Sequence, residues 1–189
     1  MSDELIDICD EQNKLLGNSQ LKSVAHRDGL WHRAAHIWIY NSRGEILLQL
    51  RAKQKPLHPN QWDISAAGHV SAGEKVLTSG LREVSEEIGL KLEPGDLEFL
   101  MIKKNSTVFR EIKNNEFYYV YLYKYDGTLD QLRLQEAEVQ KVKFLSTKEI
   151  KRDLLNNPDK YVPHEGYWPL ILDAVNERVV NKTEKNNYS

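Results

Sequence analysis

Apolar and polar positions break the chain into short β-prone runs and a few helical ones. Glu4–Cys9 and Lys14–Gly17 flank the polar Asp10-Glu11-Gln12-Asn13, which predicts an N-terminal hairpin. Ser23–Trp31 contains Asp28-Gly29 and reads as a loop with turn chemistry. Arg33–Tyr40 and Glu45–Arg51 are β-rich around Asn41-Ser42-Arg43-Gly44, a second hairpin. Leu77, Leu81, Val84 and Ile88 fall at i, i+4, i+7 and i+11, one face of a helix that Gly73 lets the chain enter and Gly89 closes. Gly80 inside this helix costs up to about 1 kcal/mol relative to Ala, and close approach to a sheet would offset it. Leu97–Lys104, Phe117–Tyr125 and Gln140–Leu145 follow as strands. Thr147 begins a capped helix, and Pro169 opens a last one running to about Val180. Residues 181–189 form a polar tail. Strands interspersed with helices, without repeats, predict one α/β domain over residues 1–180, an α/β/α sandwich around a mixed sheet.

Bulk properties narrow the function classes. Lysine and arginine total 26 against 28 acidic residues, a net charge of −2, so bulk charge gives no reason to expect nucleic-acid or membrane binding. Cys9 is the single cysteine, which excludes an internal disulfide and fits a reducing compartment. The start MSDELIDICDEQN lacks a basic region followed by an apolar run, and no stretch reaches about 18 apolar residues. The expectation is a soluble cytoplasmic protein.

The predicted acidic helix changes the picture. Glu83, Glu86 and Glu87 stand at i, i+3 and i+4, where like charges repel, and Arg82 is the only cation nearby. A divalent ion relieves that repulsion, and an all-oxygen ligand set favours Mg²⁺ or Mn²⁺. The stretch GHVSAGEKVLTSGLREVSEEIGL resembles the Nudix hydrolase signature Gx5Ex7REUxEExGU, with U a bulky aliphatic residue. Gly68, Glu74, Arg82, Glu83, Val84, Glu86, Glu87, Gly89 and Leu90 meet every fixed position. Chance alone would produce this about once in a billion start positions. The resemblance implies a Nudix-type α/β/α sandwich and a motif that holds a divalent metal against a diphosphate. It assigns Glu86, Glu87 and the Gly68 carbonyl as metal ligands, with Glu83 either a ligand or the acceptor of a proton from the attacking water. Arg82 would hold the glutamates in place, and Glu74 would brace the loop.

Outside the motif, HRDGLWHRAAH, GEILLQLRAKQK, PNQWD and AAGHVSAGE are similar to the isopentenyl diphosphate isomerase-like branch. There, positions matching Arg51 and Lys55 hold the substrate diphosphate, those matching His32 and His69 bind an active-site metal, and one matching Glu116 serves chemistry. Arg51, Lys53 and Lys55 alternate along a strand end, so one face can clamp a phosphate or can simply be a solvated edge. His69 is assigned to the substrate site, with hydrogen bonding inside the motif loop as its alternative. A catalytic cysteine precedes the glycine–histidine pair in the isomerases; here Ala67 stands there, and proton transfer loses a partner. Glu116 is favoured as the downstream catalytic carboxylate, with Glu136 and Glu138 still open. Trp31, Trp62 and Trp168 read as core rather than as base-stacking platforms.

Three functions follow from these residues. The first is a Mg²⁺-dependent hydrolase of a diphosphate linkage in a nucleotide or other small phosphorylated metabolite. The second is isopentenyl diphosphate isomerase activity, and the third a non-catalytic sensor of a nucleotide metabolite. Many members of the family pair up, so a homodimer is also an expectation.

Overall fold

A computed structural model describes residues 3–186, with side chains to residue 180. The elements are β1 (Leu5–Cys9), β2 (Leu15–Leu21), α1 (Lys22–Asp28), β3 (His32–Tyr40), β4 (Glu45–Arg51), β5 (Trp62–Asp63), β6 (Ala66–His69), α2 (Val76–Ile88), β7 (Glu98–Phe109), β8 (Ile112–Lys124), β9 (Val139–Ser146), α3 (Thr147–Asn156) and α4 (Tyr167–Asn186). β1 and β2 form the N-terminal hairpin; the other strands make a seven-stranded mixed sheet in the order β5-β4-β3-β8-β7, with β6 on β3 and β9 on β4. The chain divides into two compact units. One holds Met1–Ile37, Ala66–Ser85 and Lys91–Leu122; the other holds Trp38–Ser65, Glu86–Leu90 and Tyr123–Ser189.

In the first unit, the hairpin and α1 enclose a small core of Ile6, Ile8 and Ala25, with Leu30 against it. The expected loop over Ser23–Trp31 is instead mostly α1. Gly29 ends it in the left-handed region at φ 71°, its N–H bonding the Ala25 carbonyl. A seven-residue helix that buries one alanine shows almost no period, so its signal is lost in the sequence. Gly80 of α2 packs as its missing side chain implies: a Cβ there would lie 3.1 Å from Ile37 Cδ1 and 3.4 Å from the Ala35 Cβ. β7 and β8 pair from Glu98↔Leu122 to Phe109↔Ile112, well past the predicted strand end at Lys104. Cross-strand pairing carries the polar run Asn105-Ser106-Thr107, which local propensity would release.

In the second unit, Ile46, Leu47 and Leu48 of β4 are fully buried, and β4 pairs with β9 from Glu45↔Ser146 to Arg51↔Val139. The turn before β4 forms because the Asn41 side-chain oxygen accepts the N–H groups of Arg43 and Glu45, while Gly44 takes φ 75°. Trp38 donates its indole N–H to the Tyr167 hydroxyl at 2.9 Å and packs edge-on against Trp168. Ser146 caps α3 in a capping box with Glu149. α4 starts at Tyr167, two residues before Pro169, and continues to Asn186, beyond the expected end near Val180. Residues 187–189 of the expected tail lie outside the described residues.

Gly89 closes α2 at φ 75°, and a Cβ would sit 2.8 Å from the Arg133 Cβ and 3.0 Å from its backbone N and O. Gly89→Ala should therefore destabilise the fold by more than about 1 kcal/mol, because neither the φ nor the neighbouring backbone can yield. Gly80→Ala should change stability by less than about 1 kcal/mol, helix propensity offsetting a squeeze that the end of Ile37 can relieve. Urea unfolding of both variants measures the contrast.

Candidate active site

The first unit carries the opening of the motif. Gly68 lies on β6 against Glu83; a Cβ on Gly68 would fall 2.1 Å from the Glu83 carboxyl carbon and Oε1, so any larger residue would displace that carboxylate. Arg82 Nη1 donates to Glu83 Oε1 at 2.7 Å, and Arg82 Nη2 lies 3.3 Å from Glu74 Oε2 and 3.4 Å from the His69 carbonyl oxygen. Glu74 also accepts the Ser79 hydroxyl. Burial pushes the Glu74 carboxyl up, but the Ser79 and Arg82 hydrogen bonds outweigh it and hold the group below its ordinary value. Arg82 thus bonds both Glu83 and Glu74, and Glu74 ties the segment before the helix to Ser79.

A second cluster lies in the same unit. One ligand-capable atom from each of His26, His32, His69 and Glu116 lies within 4.8 Å of the others. Glu116 Oε1 is 3.1 Å from His69 Nε2 and 3.4 Å from His32 Nε2. His32 Nδ1 is 2.9 Å from the Leu30 carbonyl, which only accepts, so Nδ1 carries the hydrogen. In the neutral ring Nε2 then turns a lone pair toward a carboxylate oxygen, an arrangement that needs a proton or a cation between them.

Among the described residues, the buried side-chain polar atoms with no hydrogen-bond partner are His26 Nε2, His32 Nε2 and Asn114 Oδ1. Two of them belong to the cluster, and Asn114 donates its amide to Glu116 Oε2. The 3.4 Å approach of His32 Nε2 to Glu116 is therefore a charge contact, not a formed hydrogen bond. Burial and the charges of His69 and His32 push His26 down to about 4, which keeps it neutral and able to ligate. Burial pulls His32 down as well, but Glu116 outweighs it and raises the group. Glu116 stays well below the carboxylate range because His32 and His69 more than offset its burial.

These residues fit a divalent cation. Four donors about 2.1 Å from one tetrahedral ion lie about 3.4 Å apart, so the side chains would draw inward to bind it. His32, His69 and Glu116 come together as the isomerase-like resemblance implies. His26, the fourth member of the cluster, was not singled out in the sequence. Its signal was present in HRDGLWH, six residues before His32, but the expected loop hid the helix that aims it.

The hairpin also meets the motif loop. Glu4 Oε1 accepts the Ser71 hydroxyl at 2.8 Å, the Leu5 carbonyl accepts the Ala72 N–H at 2.8 Å, and Asp7 Oδ2 accepts the Gly73 N–H at 2.8 Å. Trp31 lies half-buried against Phe117 with the Lys104 ammonium 4.4 Å from its ring centre, a packing role.

The second unit holds the other predicted residues. Glu87 is buried and accepts the Gln49 side-chain amide at 3.2 Å, while Glu86 is exposed. Gln49 gave no sign in the sequence, being one polar residue in an apolar strand. Arg51 pairs with Asp63 at 3.0 Å. Lys55 forms an ion pair with Glu138, one of the downstream glutamates the sequence left open. Glu136 and Lys53 are exposed. Trp168 is buried, and Trp62 is half-buried with the Lys143 ammonium 4.0 Å from its ring centre. Among the described residues, no helix is long and apolar enough to cross a membrane.

Comparison with known proteins agrees with this geometry. The NUDIX domain family model matches residues 30–165. The chain is 36% identical over 196 residues to Nudix hydrolase 3 of Arabidopsis thaliana, covering 100% of this chain but 25% of that protein. It is 29% identical over 204 residues to an uncharacterized Nudix hydrolase of Clostridium acetobutylicum, covering 93% of this chain and 98% of the other. An isopentenyl-diphosphate Delta-isomerase of Serratia proteamaculans is 28% identical over 159 residues, 84% of this chain and 86% of that one. In fold, the DR0079 protein of Deinococcus radiodurans superposes with a TM-score of 0.67 at 19% identity over 92% of this chain and 98% of the other. With its signature unbroken from Gly68 to Leu90 and the family model covering most of its length, this chain belongs to the Nudix family.

Proposed function

We propose that the protein is a Mg²⁺-dependent hydrolase of a diphosphate linkage in a nucleotide or other small phosphorylated metabolite. The observation that carries this reading is the acid set on α2, an unbroken helix from Val76 to Ile88 in which Glu83 seats against Gly68 and Glu87 is buried beneath Gln49. Glu83, Glu86, Glu87 and the Gly68 carbonyl would hold Mg²⁺ or Mn²⁺, all of them hard oxygen donors. When bound, the ion supplies charge neutralisation at the diphosphate and acidifies or orients the attacking water. The protein's part is to fix the acids: Arg82 holds Glu83, and Gln49 orients Glu87. Glu116 or Glu83 takes the proton from water. Arg51, Lys55 and His69 contact the anionic substrate, a small molecule rather than a nucleic acid or membrane, in a cytoplasmic protein that pairs as a homodimer.

The cluster of His26, His32, His69 and Glu116 favours a second reading, isomerase-like chemistry on isopentenyl diphosphate, with imidazole nitrogens suiting a softer divalent ion than Mg²⁺. Ala67 at the position of the catalytic cysteine weighs against it.

With a panel of nucleoside diphosphate compounds and Mg²⁺, the wild-type protein should release a monophosphate or phosphate. Chelation should stop release, added Mg²⁺ should restore it, and Glu87→Gln should abolish it; no turnover of any diphosphate with Mg²⁺ or Mn²⁺ sinks the reading. Gln49→Ala should lower activity or metal affinity by about 10–100-fold, the range for a partner that orients a ligand. Deuterium uptake from heavy water into isopentenyl diphosphate would favour the second reading, and His26→Ala should then suppress it.

A further inference from the structure

The second unit contains a buried charge network around Asp63 in which the proposed chemistry uses Arg51 but leaves Asp63 and His164 without a role. Asp63 is 6% exposed and is met by three donors. His164 Nε2 donates to Oδ1 at 2.7 Å, the Ile64 N–H reaches the same oxygen at 2.8 Å, and Arg51 Nη1 donates to Oδ2 at 3.0 Å. His164 arrives on the segment after α3. That segment docks beside β5 through a parallel bridge of Tyr161 with Trp62 and a 2.9 Å bond from the Val162 N–H to the Trp62 carbonyl. The rings of Tyr167 and Trp168 flank the imidazole at 5.6 and 6.0 Å between centroids, which limits its rotation. Burial pushes the Asp63 carboxyl up, but His164 and then Arg51 outweigh it and hold it well below the carboxylate range. It is therefore a fixed negative charge.

Arg51 is anchored from the opposite side as well. Its Nε and Nη2 both donate to the Leu57 carbonyl, at 3.2 and 3.0 Å. Those bonds and the one to Asp63 engage Nε and one N–H on each terminal nitrogen, leaving one N–H on each terminal nitrogen to donate elsewhere. The side chain keeps 18% exposure, enough for a ligand to reach it. A long arginine side chain loses considerable entropy when it orders around an anion. A guanidinium already held in one plane by two anchors has lost most of that freedom beforehand.

We infer that Asp63 and His164 are positioning residues for substrate binding: His164 locks the Asp63 carboxylate, and Asp63 fixes the plane in which Arg51 presents its remaining N–H groups to an anionic diphosphate. This rests on the reading of Arg51 as a substrate contact. A simpler role, a clip that fastens the Tyr161–Gly166 segment to β5, would affect stability without affecting anion affinity.

Calorimetric titration of the full chain with inorganic pyrophosphate and Mg²⁺ separates these roles, with thermal melts reporting the fold. Arg51→Ala should weaken binding. His164→Leu should weaken it by about tenfold, the loss expected when a charge-assisted hydrogen bond to the orienting carboxylate is removed. His164→Gln, whose amide N–H can take the place of Nε2–H, should recover most of that affinity. In the Arg51→Ala background, His164→Leu should cost nothing further, since it acts only through the guanidinium. Should His164→Leu fail to fold, Asp63→Asn keeps the shape, removes the charge and should weaken binding alike. In turnover assays the loss should appear in KM, with kcat retained. Unchanged affinity in His164→Leu or Asp63→Asn, beside a weakened Arg51→Ala, overturns the positioning role and leaves Arg51 as a ligand. Additive losses in the double variant overturn it too. An Arg51→Ala protein that binds like wild type, or a wild type that binds no pyrophosphate, removes the reading of Arg51 and this inference with it.

Discussion

An ionised carboxylate withdrawn from water costs several kcal/mol unless donors or a cation meet it, and three buried acids set the terms for this molecule. Glu116 is met by two imidazoles and the Asn114 amide, Asp63 by an imidazole, a guanidinium and a backbone N–H, and Glu87 by the Gln49 amide. Each acid brings together residues far apart in sequence. Asp63 gathers Arg51 and His164, and Glu116 gathers His32 and His69. Strand pairing supplies the rigid frame on which such demands can be satisfied, because a loop would relax away from an unfavourable charge.

Two of these acids differ in how they are compensated. Asp63 is saturated by donors from the protein itself, which is the signature of a positioning device. Glu116 is not. Its imidazole neighbours include two nitrogens without a hydrogen-bond partner, His26 Nε2 and His32 Nε2. Compensation from outside the chain suits that cluster, and its ligand set is softer than the all-oxygen set on α2. The chain thus carries both an intact acidic helix and an imidazole–carboxylate cluster, with Ala67 in place of a thiol before Gly68 and His69.

The segment before residue 30, where the family match begins, contributes to the candidate site of the first unit. It contributes His26 to the cluster, and through Glu4, Leu5 and Asp7 it holds Ser71, Ala72 and Gly73 of the motif loop. That contribution depends on α1, the element local pattern does not reveal. Seven residues carry too few turns for a hydrophobic period, and the helix is stabilised by Ala25 packing on Ile6 and Ile8 and by the left-handed Gly29.

Much of the fold was legible because its signals are local. Side-chain period distinguished α2 from the strands, Asn41 and Gly44 marked a turn through their own chemistry, and Gly80 and Gly89 announced a close approach and a helix end. The motif was legible because its acids are spaced by a single helix, so spacing in sequence is spacing in space. What only the tertiary structure decided was pairing at a distance: Gln49 with Glu87, Lys55 with Glu138, Asp63 with His164, and His26 with Glu116. No local pattern encodes such partners, because the force that selects them is the cost of leaving a buried charge alone, and burial exists only once the sheet has formed.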